Sequence, residues 1–220
     1  TRVFERTVLA ALSDPAAATS VAFNLAALVR NAAELRDRMA LEHWRLISSL
    51  ASRFEHGRLR AAGARSAEEV LPKLAEVATG ISAITGAQVD GMTRDDGWRL
   101  LTIGRQLERL VSTTSTLIAF FEDDAISHAV GFDLALALLH STITYRSRYP
   151  GRQELDALID LLVLDASNPR AAACAITSLA REFEALNASA SPRRAPVAAG
   201  LPNGELGVCL ADLCEREASG

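Results

Sequence analysis

The sequence predicts an all-α protein, arranged as a single multi-helix bundle in which one helical unit is partly duplicated. Three observations lead there. Hydrophobic residues make up 49% of the 220 positions while aromatics make up 5%, so alanine and leucine supply the core and helix formers outweigh β-branched runs. Apolar positions recur at helical spacing along most of the chain, with no strand-like alternation. The breaks between these stretches carry the residues that start and stop helices.

A short opening helix is expected to about Leu12. In "SDPAAATS" Ser13 or Asp14 offers a cap and Pro15 a first-turn residue, and a long helix follows towards Met39. "ALEHWRLISSLASRFEHGRL" reads as a second long helix ending between Gly57 and Gly63. Ser66 and Glu69 form a capping box for the next helix, with Pro72 near its start. Thr93 is the expected cap of a helix running from Arg94 to Phe121, with Asp95 and Asp96 favouring its positive end. "FDLALALLHSTITYRSRYPG" reads as one helix stopped by Pro150 and Gly151, and "QELDALIDLLVL" as a shorter one. Asn168 and Pro169 then repeat the roles of Asp14 and Pro15. "LAALSDPAAATSVAFNLAALV" and "LLVLDASNPRAAACAITSLAR" match in pattern, which is the basis for the duplicated unit. The domain boundaries follow: a helical domain over 1–187, a flexible proline-rich linker over 188–204, and a short C-terminal helix or tail over 205–220.

Composition narrows the function. A net charge of −4 gives no general attraction to nucleic acid or anionic lipid. No apolar run reaches the length of a membrane span and no signal peptide opens the chain, so a cytoplasmic location is expected. The three cysteines, Cys174, Cys209 and Cys214, follow no metal or redox spacing and read as reduced. None of His43, His56, His128 or His140 has a glutamate three residues before it, so the di-metal carboxylate pattern of helical bundles is absent and no metal site is expected. Nor is there a Walker lysine, a dinucleotide glycine motif or a nucleophile elbow. The chain carries no self-contained catalytic motif, and any chemistry must rest on carboxylates, arginines or a histidine.

The informative stretch is "GMTRDDGWRLLTIGRQLERL". At about 100° per residue Leu100, Ile103, Leu107, Leu110, Leu117 and Phe121 form the expected core seam of its helix. The opposite side carries Arg94, Trp98, Leu101, Arg105, Glu108 and Ser112, an unusual mixture for a solvated face. Two readings stand open: a mid-bundle helix with Arg105 and Glu108 in a structural ion pair, or a polar groove in which they meet a ligand. "RNAAELRDRMALEHWRLI" has similar character, with Arg38 and Glu42 at i, i+4 and Arg36 and Trp44 close by; it too reads either as a surface ion pair or as the facing wall of the groove. "LLHSTITYRSRY" adds His140 and Tyr145 within about a turn, His140 being either structural or able to titrate near neutral pH.

Taken together, "GMTRDDGWRLLTIGRQLERL", "RNAAELRDRMALEHW", "STITYRSRY" and "LLVLDASNPRAAA" resemble the motifs of the alpha-E family, an all-helical bacterial family, over about Ala11 to Leu186. The likeness is greatest to alpha-E domains fused behind a circularly permuted ATP-grasp domain. Arg105, Glu108, Arg109, Glu42 and Trp44 are the matched positions. The sequence departs from the family at Val111, Ser115 and His140, and the family's usual first helix with its own Gly-Arg-x-x-Glu-Arg motif looks missing here.

The resemblance implies a helical domain of an ATP-grasp-associated system that forms amide or imide bonds on a peptide. Glu108 and Glu42 would bind an amine or act as base, with Arg94, Trp98, Arg105, Arg109, Arg36, Trp44, His140 and Tyr145 holding the peptide or amine substrate. ATP and Mg would belong to the partner ATP-grasp domain, and a transglutaminase-like protein is a further implied partner. The alternative is a non-catalytic scaffold or homodimerisation bundle.

Overall fold

A computed structural model describes residue 7 and residues 11–60, 67–151 and 153–189. Among the described residues every regular element is a helix, and none is long and apolar enough to cross a membrane. The chain divides into two compact units, Thr1–Thr93 and Arg94–Gly220.

In the first unit α1 (Val21–Glu34) leads through a short 3-10 turn (Arg36–Arg38) to α2 (Leu41–Arg60) and then α3 (Ala67–Gly91). Helix α1 starts later than its proline suggested. Ser20, not Ser13 or Asp14, is the N-cap, its hydroxyl accepting from the Phe23 N–H at 3.0 Å. Asp14 instead accepts from the Ala16 N–H at 2.9 Å, which folds the residues around Pro15 into a local turn, and its carbonyl accepts from the Ser20 hydroxyl. The helix also stops short of Met39, which is extended and separates α1 from α2.

The core of this unit gathers Leu25, Ala32, Ile47, Leu50 and Ile84, with Trp44 packed at its edge. Helix α3 can approach α2 closely because residue 80 is glycine: a Cβ there would lie 2.6 Å from Leu50 Cδ1. The Ser66 and Glu69 capping box lies outside the residues whose side chains are described.

The second unit opens with α4 (Asp96–Glu122), capped by Asp95 rather than Thr93: the Asp95 carboxylate accepts from the Trp98 N–H at 3.1 Å. A 3-10 turn (Ala125–Ser127), α5 (Ala129–Leu138), α6 (Thr142–Arg148), α7 (Leu155–Ile159), a π turn (Asp160–Leu164) and α8 (Ala172–Ser189) follow. The single helix expected across Phe132 to Tyr149 is therefore two. His140 adopts a left-handed conformation, φ 51°. The Ser141 N–H returns to the Leu136 carbonyl at 2.8 Å and the His140 N–H to that of Ala137 at 3.1 Å. This is a Schellman ending in which histidine takes the place that glycine usually fills.

The "SNPR" turn does resemble the "SDPA" turn. Asn168 Oδ1 accepts from the Arg170 N–H at 3.1 Å, as Asp14 accepts from Ala16, and neither residue is the cap of the helix that follows. The linker and C-terminal segment lie outside the described residues, except that 188 and 189 still belong to α8.

One core of this unit joins Leu117, Phe132, Leu136, Leu139, Tyr145, Leu158, Leu161 and Leu162, and a second sets Ile103 of α4 against Leu179 and Leu186 of α8. The seam of α4 is rotated from the expected one. Ile103, Thr113 and Leu117 are buried and Leu110 and Phe120 partly so, whereas Leu100, Leu107 and Phe121 are exposed. The reason is polar: α8 presents Glu182, buried between its neighbour Arg181 and Arg99 of α4, so the packed face of α4 includes an arginine. A reading by hydrophobicity alone assigns that arginine to water.

Candidate functional site

Arg105 and Arg109 lie one turn apart on α4, both partly buried. The Arg109 Nη1 donates to the Pro169 carbonyl at 3.1 Å, tying α4 to the "SNPR" turn before α8. Arg105 has no hydrogen-bond or ion-pair partner among the described residues. Burial first, and the nearby Arg109 charge second, hold its guanidinium below its ordinary range. A guanidinium stays protonated at neutral pH even so, and the pair is left with N–H groups that a carboxylate or other anion can accept in a forked geometry. The expected ion pair between Arg105 and Glu108 is not formed, and Glu108 is exposed on the same helix.

The turn that receives Arg109 is built from residues distant in sequence. Asp165 accepts from the Ser167 N–H at 2.8 Å and the Ser167 hydroxyl at 2.6 Å, and it pairs with Arg148 of α6. Burial pushes the Asp165 carboxyl up, but the hydrogen bonds from Ser167 and Arg148 outweigh it, so the group sits below the usual carboxylate range. Asn168, buried beneath, donates to the Leu161 carbonyl at 2.7 Å. The π turn between α7 and this loop is closed by the Asp165 N–H on the Asp160 carbonyl at 2.8 Å. It also brings the Asp160 carboxylate to the Tyr149 hydroxyl. That hydrogen bond, then burial and the Asp160 charge, push the Tyr149 phenol up to about 12. Such π insertions are frequent at functional sites.

Three of the four segments singled out in the sequence thus converge here: "GRQLER" through Arg109, "TYRSRY" through Arg148 and Tyr149, and "LDASNPR" through Asp165, Ser167, Asn168 and Pro169. Arg148, Asp165, Ser167, Tyr149 and Asp160 were not among the candidates, because contacts across 11 to 19 residues carry no spacing signal.

The remaining candidates are placed as follows. Arg94 stacks on Trp98, its guanidinium carbon 3.7 Å from the ring centroid, at the open start of α4. Tyr145 faces the core, where its hydroxyl accepts from the Glu154 N–H at 3.2 Å and donates to the Glu154 carbonyl at 3.3 Å, which assigns it to the scaffold. His140 is an exposed helix terminator rather than a residue on a helix face. Arg36, Glu42 and Trp44 belong to the first unit. There Arg36 donates to the Met39 carbonyl at 3.0 Å and its guanidinium carbon lies 5.7 Å from the Trp44 centroid, while Glu42 is exposed. Among the described residues no group of three or more His, Cys, Asp or Glu could hold a metal ion.

The Alpha-E family, described as a predicted alpha-helical domain with a conserved ER motif, matches residues 1–206. Glu108–Arg109 is a Glu-Arg pair within the described residues. Uncharacterised proteins of Mycobacterium bovis and Mycobacterium tuberculosis are 25% identical over 185 residues, covering 82% of this chain and 21% of each relative. The chain therefore spans about a fifth of the length of the curated relatives it matches. No solved structure matches. Matched by the family's model over residues 1–206, and helical in every regular element among the described residues, the chain belongs to the Alpha-E family.

Proposed function

We propose that this chain is the helical substrate-binding domain of a cytoplasmic, ATP-grasp-associated system that forms amide or imide bonds on a peptide. The observation that carries the reading is the Arg105 and Arg109 pair, one guanidinium anchored by the Pro169 carbonyl and the other lacking any acidic partner among the described residues. Two arginines so arranged favour a carboxylate, the group that ATP-grasp chemistry activates. With no phosphate cradle in the sequence, ATP and Mg belong to the partner domain, and a transglutaminase-like protein would act on the same peptide. In the transfer step an amine nitrogen bonds to the acyl carbon, the bond from that carbon to the phosphate oxygen breaks and inorganic phosphate leaves. The amine proton passes to a base, for which exposed Glu108, one residue from Arg109, is the candidate.

The test is reconstitution with the ATP-grasp partner, following peptide product by mass spectrometry. Arg105→Ala should lower turnover at limiting peptide at least about tenfold, the loss of one charge-assisted contact, and Glu108→Gln should lower kcat. Normal product formation by both variants, with helical content intact, would defeat the reading and leave a non-catalytic scaffold.

A further inference from the structure

The turn that receives Arg109 also carries an arginine of its own. Arg170 directly follows Pro169, whose carbonyl accepts from Arg109 Nη1 at 3.1 Å, so the root of its side chain is fixed beside that guanidinium. Its main chain is held in place. The Arg170 N–H donates to Asn168 Oδ1 at 3.1 Å, and Asn168 is itself buried and tied to the Leu161 carbonyl at 2.7 Å. The Arg170 side chain is exposed and, like that of Arg105, has no hydrogen-bond or ion-pair partner among the described residues. The carboxylates around the turn are engaged elsewhere: Asp165 with Arg148, Asp160 with the Tyr149 hydroxyl, and Glu182 with Arg99 and Arg181. Glu108, exposed one residue from Arg109, is the one acidic residue of α4 between Gly97 and Phe121. Three guanidiniums therefore stand against a single free glutamate.

We propose that Arg105, Arg109 and Arg170 together bind a phosphate dianion. A carboxylate has two oxygens in one plane and one charge, which Arg105 and Arg109 already satisfy. A phosphate has three free oxygens and about two charges, and takes a third guanidinium from another direction. Burial and then the Arg109 charge already hold the Arg105 guanidinium below its ordinary range, and an anion between the two offsets the repulsion. Resting on the function proposed above, the phosphate is that of the peptide's acyl phosphate, and Arg170 is the residue that tells the activated substrate from the free carboxylate. As the amine nitrogen bonds to the acyl carbon, the bond from that carbon to the phosphate oxygen breaks and the phosphate leaves with its electron pair, while the amine proton passes to Glu108. The three guanidiniums stabilise the charge where it develops.

Calorimetric titration of the full chain at about pH 8, where the second phosphate proton is lost, tests this. The probes are acetate, inorganic phosphate and acetonylphosphonate, in which a methylene replaces the bridging oxygen of acetyl phosphate. Both phosphorus anions should bind at least about tenfold tighter than acetate. Arg170→Ala should bring that ratio close to one with helical content unchanged, while Arg146→Ala, whose side chain is 70% exposed on α6, should leave it intact. A wild-type ratio near one, a ratio that survives Arg170→Ala, or one that falls equally with Arg146→Ala would overturn the proposal and leave the carboxylate reading standing. Binding of inorganic phosphate without acetonylphosphonate would overturn the acyl phosphate assignment, and failure of all three anions to bind would overturn both readings.

Discussion

His140 holds a left-handed backbone, φ 51°, which costs an L-residue about 1 kcal/mol because Cβ crowds the neighbouring carbonyl. Glycine carries no such penalty, and the exposed His140 side chain forms no part of either core. His140→Gly should therefore stabilise the protein by about 0.5–1 kcal/mol, less what glycine loses in the unfolded chain. Thermal or denaturant unfolding would show it, and a loss of stability would mean that the imidazole makes a contact of its own. The residue also shows where sequence reading reached its limit. "ALLHSTIT" has uninterrupted helical spacing and no glycine or proline, so nothing local marks the break. The helix ends because the Leu136 and Ala137 carbonyls are satisfied by a turn instead.

At the scale of elements, helix existence followed from periodicity, but the orientation of α4 did not, because its packed face includes Arg99 paired with buried Glu182. Arg105 and Arg109 were legible as an unusual face. The loop that fixes Arg109 was not, since Arg148, Asp165 and Ser167 meet only through the π turn. That loop depends on the Asp165 charge. Its carboxyl is held below the unfolded value by the hydrogen bonds it accepts, so its contribution is present above the unfolded pKa of about 4 and is lost as pH falls through the lower folded value. Asp165→Ala should cost about 1–3 kcal/mol at neutral pH. The gap from wild type should close in acid below about pH 4. Urea unfolding at several pH values checks the sign, and a constant gap would assign the effect to packing alone.

At the scale of the whole molecule, the all-α class and the Alpha-E membership were both readable from the sequence, while the division into two compact units was not. The claim on which the functional account rests is narrower than either: the second unit carries a carboxylate site built from Arg105 and Arg109, positioned by the Pro169 carbonyl. Calorimetric titration of the full chain with an acetylated dipeptide ending in a free carboxylate, against the same dipeptide as its carboxamide, tests it most directly. The account predicts that the carboxylate binds at least about tenfold tighter than the amide, about 1.4 kcal/mol, and that Arg105→Ala removes the difference. Equal affinities for the two dipeptides, or a preference that survives Arg105→Ala, would contradict it.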